Sequence, residues 1–190
     1  MTRFDPVDPE ELPAEKRSLL ETFSNSDAEA DHSLSGGTLN VYRTLGRNVD
    51  LLEGFREYLS TVWHQSGLTP HERELVILTT AAQTESAYEW HQHVRVALDE
   101  GMLPETILAV SRGRHDALED EHAAIVEYVE QFVDGQVEDP THERVATHYA
   151  DEVILGIGVL AGNYLGLAHV LEALEVETEQ EFVGWDLENL

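Results

Sequence analysis

The chain contains no cysteine. Disulfides, thiolate metal sites and thiol redox chemistry are excluded on that ground alone. Lysine is nearly absent too: Lys16 stands alone beside ten arginines, against 38 acids and a formal net charge of −27. Without clusters of Lys and Arg there is little to neutralise phosphates, which argues against nucleic acid as a partner and against an anionic membrane surface. The first residues lack a basic flank followed by an apolar run, so no signal peptide is predicted. Strand-like alternation of useful length is missing, as are internal repeats.

What is present is a core. Of the 190 residues 42% are hydrophobic, too many for a disordered acidic chain and enough for one domain. The acids are spread along the whole length, which reads as adaptation to a salty cytoplasm where screening removes self-repulsion; a basic partner is the competing reading. Val153–Leu171 is mostly apolar but contains Asn163, Tyr164, His169 and four glycines between acidic flanks. It reads as a buried core helix rather than a membrane span, and a cytoplasmic location is expected.

The periodicity is helical. Pro6, Pro9 and Pro13, an amphipathic piece at 15–23 and a Gly36-Gly37 break mark residues 1–37 as an extension packing on the domain or on a neighbouring subunit. Leu51, Leu52, Phe55, Tyr58, Leu59, Val62 and Trp63 form one stripe ending before Gly67. Thr69-Pro70-His71-Glu72 is a helix start whose helix turns Leu75, Val76, Leu78, Ala81 and Ala82 inward. A further helix is predicted from Ser86 to Glu100, stopped by Gly101, with Trp90 in its packing stripe. Pro104 opens a short helix, 116–133 repeats the stripe from Ala117 and Leu118 onward, and Thr141 caps another start. Gly158, Gly162 and Gly166 recur every fourth residue of the last helix, a spacing that admits a second helix backbone. The fold class is all-α, with a domain over 38–178 and an acidic tail over 179–190.

Chemistry concentrates between Leu68 and Gly101. Ser86, Glu89 and His93 fall at i, i+3 and i+7 on one helix face, and Glu74 precedes them on a helix that would fold back alongside. A carboxylate beside an imidazole is the minimal equipment for proton transfer. The same spacing also suits a surface pair on a solvated helix. His115, Glu119 and His122 have a metal-compatible i, i+4, i+7 spacing, but their acid-rich face reads as solvated and no metal is predicted. His91 is expected to be exposed, and His169 to be a hydrogen-bonded core or interface residue.

Residue for residue, this segment resembles the carboxymuconolactone decarboxylase family, which includes the alkylhydroperoxidase D-like proteins. The resemblance is carried by Leu68, Thr69, Glu72, Arg73, Glu74 and Leu75 to Leu78, then by Ser86, Tyr88, Glu89, Trp90 and His93. Glu100-Gly101-Met102, Asn163-Tyr164 and Leu171 to Leu174 extend it over roughly residues 49–176. It implies a helical bundle of antiparallel helix pairs, without cofactor, assembling as homo-trimers or homo-hexamers. The family's thiol branch carries two cysteines where this chain has Ser86 and Glu89, so thiol-dependent peroxide reduction is not available here, and a peroxidase-like role is argued against. The resemblance then implies a decarboxylase-like lyase, or a related proton-transfer enzyme, acting on a small carboxylated or lactone compound. In it His93 serves as proton donor or shuttle, Glu74 and Glu89 as orienting groups or bases, and Ser86, Tyr88 and Arg73 as substrate contacts. Thr79 stands where an arginine is expected after the Val76-Ile77-Leu78 run, leaving Arg73 or Arg95 as replacement cations. A non-catalytic oligomer that binds a small molecule is the alternative.

Overall fold

A computed structural model describes residues 2–22 and 38–190. Among them the secondary structure is helical: α1 (Asn40–Leu45), α2 (Val49–Gln65), α3 (Pro70–Gln83), α4 (Ala87–Asp99), α5 (Pro104–Ser111), α6 (Asp120–Val133), α7 (Asp139–Ala146) and α8 (Asp151–Ala173). Short 3-10 turns at Pro9–Glu11, Ala14–Leu20 and His115–Ala117 accompany them.

Helix α3 is the centre. Its start is the expected one: Pro70 occupies the first turn, where its missing N–H costs nothing, and Thr69 and Glu72 form a reciprocal capping box. Every residue from Arg73 to Ala81 is buried, because α4, α5, α6 and α8 all pack against this one helix. The inward face read from the sequence is therefore too narrow: Ile77, Thr79 and Thr80 are enclosed as well. The two threonines are tolerated because their hydroxyls donate to carbonyls one turn back, Thr79 to Leu75 at 2.6 Å and Thr80 to Val76 at 2.8 Å.

At the end of α3, Glu85 adopts a left-handed conformation (φ 52°). The N–H of Ser86 reaches the Ala81 carbonyl at 2.9 Å and that of Glu85 reaches Ala82 at 3.2 Å, a Schellman closure. This tight turn sends α4 back along α3 with Ser86 at its N-cap position. Gly101, at φ 88°, closes α4 in the same way.

Several boundaries depart from the sequence reading. In α2 only Leu52, Leu59 and Val62 are buried, whereas Leu51 and Tyr58 face outward, because the apolar arc is wider than the surface α8 covers. Helix α6 begins at Asp120, so Ala117 and Leu118 lie outside it; Leu118 is extended, and the acids Asp120 and Glu121 occupy the first turn. Thr141 is a buried residue inside α7 rather than its cap, since Pro140 fits the first turn and moves the start back to Glu138. On α8 the glycine stripe meets a side chain, not a backbone: the Phe132 ring lies over the Gly158 and Gly162 positions, and among the described residues nothing lies within 4 Å of a Cβ at Gly166. Close backbone approach occurs instead at Gly156, two residues before the stripe and on another face of the helix, where a Cβ would stand 2.1 Å from the Ser66 carbonyl oxygen.

By length and composition α8 is the one helix among the described residues apolar enough to cross a membrane, and half of its most apolar stretch is buried between other helices.

Both flanking segments pack on the bundle. Val7, Leu12 and Leu20 enter a second apolar cluster with Val41, Tyr42, Leu52, Tyr88, Leu167 and Leu171. The polar run from Ser24 and the Gly36-Gly37 break lie outside the described residues. Residues 179–190 form a strap across α4, with Val183 buried and Phe182, Trp185 and Leu187 against the main core.

Candidate active site

Glu74 on α3 and His93 on α4 meet in the hairpin the Glu85 turn creates. Glu74 is fully enclosed and accepts the Nδ1–H of His93 at 2.8 Å. That bond leaves Nε2 of His93 facing Glu89, whose Oε2 stands 3.7 Å away. Glu89 and His93 share a helix face at i, i+4, and that face is buried, so the surface-pair alternative is set aside. The imidazole is thus held between two buried carboxylates.

Aromatic rings wall the cluster. Tyr164 of α8 meets the His93 ring edge-on at 5.0 Å between centroids, and Trp63 of α2 lies at 6.2 Å. The Arg73 guanidinium stacks over Trp63 at 4.1 Å and donates to its carbonyl at 3.5 Å. Beyond Glu89, the buried Tyr42 of α1 is covered by Arg56 at 4.4 Å.

These surroundings set the protonation states. Burial pushes the Glu89 carboxyl up to about 7; the charges of Glu74 and Glu179 push the same way, and His93 only partly opposes them. For His93, burial alone would favour the neutral ring. The charge and hydrogen bond of Glu74, together with the charge of Glu89, outweigh burial and the opposing Arg73, and hold its pKa above the ordinary histidine value. Burial between Glu89 and Glu74 drives the Tyr164 hydroxyl far above its usual range, so it stays neutral. The two carboxylates thus favour a proton on His93, and near neutral pH Glu89 exchanges its own proton readily.

The other predicted residues are distributed differently. Arg73 reaches the rim of the cluster through Trp63. Ser86 is buried at the start of α4, where its side chain makes no capping bond. Tyr88 points away from the site: its hydroxyl donates to Glu179 at 2.8 Å and accepts the Val41 N–H at 3.0 Å, so it is occupied in holding the strap and α1 rather than a substrate. Arg95 is likewise engaged by the strap, at Gln180, and Thr79 bonds within its own helix, which leaves Arg73 as the cation beside His93. The His115, Glu119 and His122 spacing dissolves, because His115 sits in a 3-10 turn 3.0 Å from Glu130. Among the described residues no three His, Asp or Glu groups converge as a metal would require. His91 is buried rather than exposed, for its ring is covered by the strap. His169 is exposed on α8 rather than enclosed in the core.

Four site neighbours were not singled out from the sequence. Trp63 was visible as part of the α2 stripe and Tyr164 as part of the Asn163-Tyr164 pair. Tyr42 and Arg56 carry no local signal.

Residues 50–130 match the sequence profile of the carboxymuconolactone decarboxylase family. A search among curated proteins finds no significant sequence match. Among solved structures, the chain is similar to an uncharacterized peroxidase-related protein with an alkylhydroperoxidase core from Ralstonia eutropha (19% identity, 97% of this chain and 96% of that chain, TM-score 0.79). An uncharacterized peroxidase-related protein from Silicibacter is as similar in fold (18% identity, 96% and 94% covered, TM-score 0.79). A debrominase, solved in complex with 2,3,4-tribromopyrrole, aligns at 12% identity over 92% of this chain and 90% of its own, with a TM-score of 0.73. At these identities the likeness shows the shared fold. The chain thus has the fold of these alkylhydroperoxidase-related structures, and its α2–α6 region is similar to the carboxymuconolactone decarboxylase family.

Proposed function

We propose that the protein is a cofactor-independent proton-transfer enzyme, of the lyase type, acting on a small carboxylated or lactone compound. One observation carries this reading: the buried Glu74–His93–Glu89 cluster, with an imidazole held between two carboxyl groups that favour its protonated form and Glu89 poised near neutrality. Glu74 fixes the ring through Nδ1 and stabilises its positive charge. Nε2 is then the working nitrogen, able to give a proton to substrate carbon and to be reprotonated by Glu89.

For a decarboxylation the balance is simple. The bond to the carboxyl carbon breaks, CO₂ leaves, and the electron pair moves into the conjugated carbonyl system of the substrate. His93 then delivers one proton to carbon. The Trp63 and Tyr164 rings suit a flat, unsaturated body, and the Arg73 guanidinium supplies a cation for a carboxylate. A debrominase of the same fold was solved with a small halogenated ring bound, which supports a small cyclic substrate for this fold. Function as a homo-oligomer belongs to the same reading.

The test is turnover of a panel of unsaturated lactone carboxylates in D₂O, followed by NMR for CO₂ release and for deuterium at the product carbon. The expected result is turnover by the wild type and none by His93→Ala, with circular dichroism unchanged. Turnover retained in His93→Ala would overturn the assignment.

A further inference from the structure

Helix α4 presents two different faces to two different partners. Glu89 and His93 face Glu74, whereas Tyr88, His91, Gln92 and Arg95 face the strap at 179–190. Tyr88 and Gln92 both donate to the Glu179 carboxylate, and Arg95 donates to Gln180. The Trp90 indole N–H donates to the Gly184 carbonyl at 3.0 Å, and its ring lies 5.4 Å from Trp185. At the centre of this seam, the backbone N–H of Val183 donates to Nδ1 of His91 at 3.0 Å.

That last bond has a chemical condition attached. Nδ1 accepts only while it carries no proton, so the ring holds its proton on Nε2. His91 is fully buried, and its Nε2 has no hydrogen-bond partner among the described residues. Protonating Nδ1 would set an N–H against the Val183 N–H and would place a charge in a site closed by the Phe182 ring, 6.4 Å away. Two charged groups bear on the ring, Arg95 from its own helix and Glu179 from the strap. Burial and Arg95 oppose a positive ring, Glu179 favours it, and the balance lies on the neutral side. The Arg112–Asp186 pair, at 2.8 Å, anchors the strap further along without touching His91.

We infer that the 179–190 strap is a pH-operated clasp on α4, with His91 as its latch: closed while the imidazole is neutral, released when Nδ1 takes a proton. Closure is fully present above the ordinary histidine pKa of about 6.5 and is lost as pH falls below it. Release also withdraws Glu179 from Tyr88 and Gln92, the immediate neighbours of Glu89 and His93 on α4. Acid would therefore loosen the helix that carries the buried cluster. This holds whatever reaction the cluster performs.

Native-state hydrogen exchange on the full chain tests it, with the Val183 amide as reporter and the Leu78 amide of α3 as internal standard. After correction for intrinsic exchange, Val183 protection in the wild type falls by up to about tenfold per pH unit below pH 6.5, while Leu78 stays protected. In His91→Asn the Oδ1 atom replaces Nδ1 as acceptor without titrating, and the fall disappears. Constant Val183 protection in the wild type down to pH 4.5 overturns the inference. So does the same fall in His91→Asn, which would assign release to Glu179 instead. Imidazole NMR on the wild type closes the remaining gap if the Asn side chain fails to reach: His91 must titrate together with loss of Val183 protection, and titration with the strap still closed overturns the latch.

Discussion

Replacing Glu89 by glutamine removes a charge from the buried cluster and leaves the side-chain shape. Burial, Glu74 and Glu179 raise the Glu89 carboxyl from 4.5 to about 7 in the folded protein. At about 1.4 kcal/mol per unit, that rise is worth about 3 kcal/mol. The sign follows from which form the fold prefers. A folded-state pKa above the unfolded one means folding favours the protonated acid, so the stabilisation is complete below pH 4.5 and is lost as pH rises through about 7. His93, also raised, contributes in the same direction, since its stabilisation is lost as pH climbs through its folded-state value. Urea unfolding at fixed salt and protein concentration, from pH 4.5 to pH 8.5, reads the effect as the difference between Glu89→Gln and wild type. That difference should move by about 3 kcal/mol in favour of the variant across the range. A difference that stays constant to within about 1 kcal/mol refutes the buried-acid reasoning, because an accessible Glu89 would ionise without cost.

Three further outcomes follow from other parts of the molecule. Gly156→Ala drives a Cβ into the Ser66 carbonyl and should cost about 3 kcal/mol or more, seen as a drop in Tm of about 10 °C; an unchanged Tm would mean that α2 and α8 slide apart freely. Glu85→Gly relieves the left-handed strain at φ 52° and should stabilise by about 0.5–1 kcal/mol in urea unfolding, whereas Glu85→Ala should give no such gain. The −27 charge predicts a Tm that rises between low and molar salt, and a flat profile would show that the acids are already neutralised in pairs.

The helices were legible in the sequence where a strong local signal and burial agree. Thr69, Pro70 and Glu72 fix the start of α3 by backbone chemistry alone, and Gly101 fixes the end of α4. The cluster was legible for the same reason: the i, i+4 spacing of Glu89 and His93 survives any packing, and a tight turn near Glu85 leaves Glu74 little choice of neighbour. Tertiary contacts decided the rest. His91 looks like a surface residue and Tyr88 like a substrate contact until the strap, some ninety positions away, engages them. Thr141 looks like a cap because a proline one residue earlier competes with it unseen. The glycine stripe on α8 predicted a helix neighbour, but the space was taken by the single ring of Phe132.

The α3–α4 hairpin also bears on how the chain acquires its shape. Glu74 and His93 are 19 residues apart, whereas His91 and Val183 are separated by 92. Closing the short loop costs less entropy, and α3 must be in place before the helices around it have a surface to dock on. Destabilising changes in the hairpin should therefore slow folding, while those at the strap should chiefly speed unfolding. The proton-handling core and its clasp thus belong to opposite ends of the folding reaction, so the strap can open without undoing the structure that holds the cluster.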